Sequence, residues 1–134
     1  MEITALPQPF TVCKLPSADG VDLSVPFTFL SVTDEEVSLV CPTACVPAGA
    51  AVAEHGWRAF KIEGTLDFGM VGVLAGISGA LAARGISIFA VSTYNTDYVL
   101  VKQERFAEAA AVLRESGHNL REAPAAPNGE APPC

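Results

Sequence analysis

With 134 residues, half of them apolar and 17% charged, the chain can build one compact domain or two very small packed units, but not a large enzyme. Fifteen acidic against eight basic side chains give a net charge of −7, with no local run of Lys or Arg, which argues against nucleic acid and anionic lipid as partners. Apolar content is too high and charge too low for intrinsic disorder, so a small core is expected.

The opening MEITALPQPF has neither the basic start nor the apolar run of a secretory signal, so a cytoplasmic protein with reduced cysteines is expected. Phe10 to Leu15 reads as a strand, and the nine residues Pro16 to Ser24 that follow leave room for a turn but not for a helix. Phe27 to Val32 and Val37 to Cys41 read as a hairpin, and Pro47 to His55 as a helix. Trp57 to Glu63 alternates as a strand. It could close the first half of the chain or open the second, and is assigned mainly to the second.

A turn from Gly64 to Phe68 leads into a helix from about Val71 to Arg84, with Val73, Leu74, Ile77 and Leu81 at helical spacing and Gly85 placed to end it. The uncharged run from Phe68 to Ala83 is 16 residues long. That is short of the roughly 20 a membrane span needs. Its glycines, Gly69, Gly72, Gly76 and Gly79, suggest a buried helix packed closely against a neighbour. Ile86 to Tyr94 and Tyr98 to Gln103 read as strands around Asn95, Thr96 and Asp97, which carry hairpin chemistry. Phe106 to Ser116 is a second helix closed by Gly117, and His118 to Glu122 a last short strand. From Pro124, PAAPNGEAPPC lacks apolar periodicity and reads as a disordered tail over 124–134.

The two halves repeat at a spacing of 61 residues: Ser31, Leu39, Val40 and Gly56 recur as Ser92, Leu100, Val101 and Gly117. The second copy has the order βαββαβ, which makes a four-stranded antiparallel sheet with helices on one face. The expected fold is therefore α+β, with two ferredoxin-like units in tandem: a truncated one over 1–56 and a complete one over 57–123.

The stretch from Trp57, above all LDFGMVGVLA and ISIFAVSTYNTDYVLV, closely resembles the ACT domain, in the tandem branch that includes cytosolic arginine sensors and small bacterial proteins. SVTDEEVSLVC and the following VPAG segment resemble the weaker first half of that branch. The resemblance implies a non-catalytic, allosteric regulatory module that binds a small molecule, typically an amino acid, at an interface between domains.

An amino acid needs donors for its carboxylate and an acceptor for its ammonium. The turn and helix start at Asp67, Phe68, Gly69, Met70, Val71, Gly72 and Val73 offer backbone N–H groups and the positive end of a helix dipole, and the same Asp67 could instead serve as a helix cap. The S-T-[YF]-x-x-D pattern carries a ligand-binding role from the family onto Thr93, Tyr94 and Asp97; a turn-fixing role for Asp97 is the alternative. Glu36 falls at the place of Asp97 in the first copy.

Cys41 and Cys45 have metal-ligand spacing, but no second cluster accompanies them, and they read as buried strand-end thiols, with Cys13 inside a strand and Cys134 an exposed tail thiol. His55 and His118 sit where exposed cations at helix ends would lie, with no triad around them. No phosphate-binding loop or dinucleotide fingerprint occurs, so no cofactor is implied. The expected partners are an amino acid, a second copy of the chain and an unidentified protein; the competing expectation is an interaction module that has lost its ligand.

Overall fold

The computed structural model describes residues 1–64, 72–123 and 134. They form eight strands, β1 (Glu2–Ala5), β2 (Phe10–Leu15), β3 (Phe29–Val32), β4 (Val37–Pro42), β5 (Val52–Ile62), β6 (Phe89–Ser92), β7 (Asp97–Lys102) and β8 (Asn119–Glu122), with two helices, α1 (Val73–Ala82) and α2 (Phe106–Glu115). They cluster into two compact units, one built from Met1–Pro7 and Arg58–Ala123, the other from Gln8–Trp57 with Cys134. The chain passes from one to the other inside β5, so Trp57 to Glu63 serves mainly the C-terminal unit, while β5 begins five residues earlier at Val52.

In the C-terminal unit the strand order is β6-β7-β5-β1-β8. The expected sheet of four antiparallel strands is corrected here: β1 inserts beside β5, antiparallel with Ile3 opposite Ile62, and β8 pairs with β1 in parallel, Ile3 opposite Leu120. The physical reason is the burial that β1 contributes. Ile3 and Ala5, each 1% exposed, join Phe60, Ile62, Ile77, Leu81, Val99, Val101 and Leu113 in one core between the sheet and the two helices. Burying an Ile-sized side chain contributes about 1.5–3 kcal/mol, and pairing with β5 and β8 on both sides adds to it against the entropy of ordering four residues.

Both helices stop where their glycines predict. Gly85 (φ +69°) donates its N–H to Ala82 while Ile86 donates to Leu81; Gly117 (φ +93°) donates to Arg114 while His118 donates to Leu113. This paired pattern ties off the last carbonyls with a residue in the left-handed conformation. Close packing of α1 through its glycines does not occur. Gly76 and Gly79 are exposed, and a Cβ added at either would meet no atom within 4 Å, because Ile77 and Leu81 alone carry the fully buried face.

The N-terminal unit is the sheet β3-β4-β2-β5, with a core of Cys13, Leu15, Leu39 and Cys41. The expected helix from Pro47 to His55 is replaced by a turn and the first half of β5. The segment is rich in helix formers, but pairing with β2 overrides local propensity, beginning with Ala51 N–H donating to Lys14. Gly56 (φ +83°) lies at a register shift, where Trp57 faces Phe10 and Glu54 faces Val12; it is a β-bulge glycine and not a helix terminator.

The internal repeat is real in the two hairpins, but its spacing is 60. Phe29 faces Val40 and Val32 faces Val37, as Phe89 faces Leu100 and Ser92 faces Asp97. The turns agree: Thr33 N–H and hydroxyl both donate to Glu36 carbonyl, and Thr93 N–H and hydroxyl both donate to Thr96 carbonyl. A slip of one residue turns every side chain to the opposite face of a sheet. The counterpart of Asp97 is therefore Val37, not Glu36, and the first hairpin has no acid at that position.

Cys13 and Cys41 are buried in their strands as expected, while Cys45 and Cys134 depart from expectation. Cys45 is bonded to Cys134, so neither is a free thiol. Cys13 and Cys41 are free and buried; burial, and then the neighbouring Cys13, push the Cys41 thiol up to about 11, which leaves it protonated and unreactive. No helix among the described residues is long and apolar enough to cross a membrane.

Candidate functional site

The hairpin between β6 and β7 spends its polar side chains on its own shape. Thr93 accepts from Thr96 N–H at 3.4 Å and donates to its carbonyl at 3.1 Å. Thr96, 5% exposed, turns its hydroxyl the other way and donates to Ile62 carbonyl at 2.6 Å, which fastens the hairpin to the end of β5. Asp97 accepts a short bond from the Ser92 hydroxyl, 2.5 Å, and Tyr94 stands 79% exposed at the tip.

Alternation along β7 places Asp97 on the same face as Val99 and Val101, which belong to the core under the helices. Ser92, opposite Asp97, shares that face. Because β6 runs toward the hairpin, α1, which precedes it in the chain, starts at the hairpin end. Gly72 occupies the N-cap position with φ +86°, and among the described residues no side chain caps the helix there. The first intrahelical bond is Gly76 N–H to Gly72 carbonyl, 2.8 Å, so the amides of Val73, Leu74 and Ala75 precede the helical ladder, and the first turn carries no acidic residue. Of the sequence-predicted site, Thr93, Tyr94 and Asp97 thus share one hairpin, and Gly72 and Val73 lie at a helix start on the same side of the sheet. Asp67, Phe68, Gly69, Met70 and Val71 lie outside the described residues, and so does the tail over 124–133.

The opposite face of the same hairpin borders a recess of about 310 Å³, lined by Lys61, Glu63, Gly64, Thr93, Asn95, Thr96 and Tyr98. Phe60 and Ile62 face the helix-side core, so Lys61 and Glu63 point away from it. Glu63 Oε2 accepts from the Thr4 hydroxyl at 2.6 Å and lies 3.4 Å from Arg121, while Oε1 lies 3.3 Å from Lys61 Nζ. The Thr4 hydroxyl foremost, then Lys61 and Arg121, hold the Glu63 carboxyl below its ordinary 4.5, against the opposing effect of partial burial. A lowered folded value means stability that is complete above pH 4.5 and lost as pH falls through the folded value. Acid titration of the unfolding free energy should show this loss, and Glu63→Gln should flatten it. Lys61 and Glu63 were legible only as the polar side of an alternating strand; the hairpin's position, which makes a cavity beside them, carries no local sequence signal.

Each histidine meets half of the expectation of an exposed cation at a helix end: His55 is exposed but lies in a strand, and His118 follows the end of α2 but is half-buried. His55 lies within β5, its Nδ1 2.8 Å from the hydroxyl of fully buried Thr11. His118 Nδ1 lies 3.3 Å from the Met1 amine, and desolvation followed by that ammonium lowers its affinity for a proton. Among the described residues no three His, Cys, Asp or Glu side chains are grouped to hold a metal ion.

Comparison with known proteins agrees with this fold. Residues 52–115 match the family model of the ACT domain. The human cytosolic arginine sensor for mTORC1 subunit 1 is 37% identical over 65 residues, 48% of this chain and 20% of the relative. The rat protein is 28% identical over 104 residues, 72% of this chain and 31% of the relative. The chain thus spans at most about a third of the length of these curated relatives. A crystal structure of an Agobacterium tumefaciens protein superimposes with a TM-score of 0.80 at 26% identity, covering 92% of this chain and 94% of that one. The regulatory subunit of aspartate kinase from Thermus thermophilus shares the fold alone, with a TM-score of 0.64 at 12% identity, 87% of this chain and 97% of that one. The segment from residue 52 to residue 115 belongs to the ACT domain family.

Proposed function

We propose that the chain is a non-catalytic, cytoplasmic regulatory module that binds a free amino acid at the hairpin end of its C-terminal unit. One observation carries the reading: an uncapped helix start and the Asp97 carboxylate lie at the same end of one face of the sheet. Exposed helix amides suit the ligand carboxylate, and Asp97 suits its ammonium. Asp67, Phe68, Gly69, Met70 and Val71 are proposed to complete the cradle, with Thr93 and Tyr94 beside it. The arginine-sensing name of the curated relatives supports an amino acid as the ligand class.

The N-terminal unit is proposed to be a truncated second ACT-like unit. A second copy of the chain is proposed to pack on α1, whose exposed Ala75, Gly76, Gly79 and Ala82 carry no charge beside the edge strand β6. The Ser92–Asp97 bond favours a second reading, in which the hairpin is purely structural and the module binds only proteins.

Thermal unfolding in the presence of each free amino acid separates the two. A ligand at 100 times its Kd adds about 2.7 kcal/mol of stability. Asp97→Ala and Gly72→Val are each expected to abolish that increment, with the ligand-free melt of Gly72→Val recording about 1–2 kcal/mol of backbone strain on its own. Full retention of the increment in both variants would refute the site, and no increment with any amino acid would favour the structural reading.

A further inference from the structure

We infer that the recess on the helix-free face of the sheet is a second small-molecule site, for a small carboxylate that carries an amine or hydroxyl on the adjacent carbon. It lies across the sheet from the site proposed above and draws its charged groups from Lys61 and Glu63 in place of Asp97; Thr93 borders both. Lys61 is the one cationic side chain among the described residues that lines the recess, and Glu63 the one acidic side chain. Among the described residues Lys61 makes one ion pair, to Glu63, so two of its three N–H donors remain for a ligand carboxylate. Asn95 also lines the cavity, and its side-chain amide is a donor. It supplies a second donor to the same carboxylate.

Glu63 supplies the acceptor. Its Oε2 is occupied by Thr4 and Arg121, while Oε1 has Lys61 alone at 3.3 Å and room for another donor. Side-chain exposures of 32% for Lys61 and 23% for Glu63 leave both reachable yet partly shielded from solvent, where charge-assisted bonds are stronger than at an open surface. The hairpin keeps the cavity in shape, since Thr96 fixes it to Ile62 and Thr93 closes its turn. At about 310 Å³ the space admits a molecule of a few heavy atoms together with water.

Calorimetric titration of the full chain with alanine, lactate, propionate and alaninamide tests the assignment. Alanine and lactate are expected to bind, propionate at least several-fold more weakly, and alaninamide not at all. Lys61→Met should weaken alanine and lactate at least tenfold, and the exposed Asn95→Ala provides the same test if Lys61→Met folds poorly. Glu63→Gln should erase the preference for alanine over propionate. Equal binding of alanine and alaninamide, or unchanged affinities in both Lys61→Met and Asn95→Ala, would overturn the inference. Loss of alanine binding in Asp97→Ala alone would overturn it while supporting the helix-side site. Absence of binding by every probe would overturn it too, leaving the helix-side reading to its own amino-acid panel.

Discussion

Phe60→Ala should lower the unfolding free energy by about 3–5 kcal/mol, the cost of emptying a large, fully buried aromatic position. Phe60 is 1% exposed and stacks on Phe106 with ring centroids 5.2 Å apart and planes 7° from parallel. Phe106 is in turn covered by the Arg58 guanidinium, 4.1 Å from the ring centroid, and Arg58 donates to Leu6 carbonyl at 3.0 and 3.3 Å. One stack therefore fastens β5, the start of α2 and the end of β1. Arg58→Ala should cost less, about 1–2 kcal/mol, because the cation–π contact and the hydrogen bonds are partly exposed. In thermal melts Phe60→Ala is expected to fall by roughly 10 °C or more. A shift of only a degree or two would mean that this stack does not hold the unit together.

Cys134→Ser should destabilise the protein by about 2–4 kcal/mol, through loss of the only cross-link among the described residues. The bond joins positions separated by 89 residues, a closure that strongly restricts the unfolded chain. A dithiol reductant should lower the wild-type melting temperature to that of Cys134→Ser and leave the variant unchanged. Cys41→Ser should keep its sensitivity to the reductant whatever its own melting temperature, since Cys41 is a buried free thiol outside the cross-link. A wild-type melt indifferent to reductant would contradict the account.

The legible parts of the fold were those with strong local periodicity. Val73, Ile77 and Leu81 specify α1 wherever it packs, and Gly85 and Gly117 end helices by a backbone conformation that side chains resist. β1 was not legible: four residues without turn signals become a strand only because a sheet is present to receive them. Pro47 to His55 was misread for the same reason, with pairing to β2 deciding against helix propensity. The repeat was misplaced by one residue because identities such as Leu39/Leu100 and Val40/Val101 are cheap in apolar strands. The hydrogen bonds of Thr33 and Thr93 fix the true spacing.

Of the helix-side site, Thr93 and Asp97 were legible as turn chemistry, but the short bond from Ser92 to Asp97 follows from cross-strand register and is visible only in the fold. Lys61 and Glu63 gain meaning only from the hairpin that Thr96 holds beside them.

The central claim is that a free amino acid binds between the start of α1 and the Asp97 hairpin. Backbone amide chemical shifts, followed by two-dimensional NMR while the amino acid giving the largest thermal shift is titrated in, test it most directly. Saturable changes at Gly72, Val73, Leu74 and from Ser92 to Asp97 are the predicted result. Changes confined to the N-terminal unit, or a spectrum unmoved at those amides at saturating concentration, would contradict it.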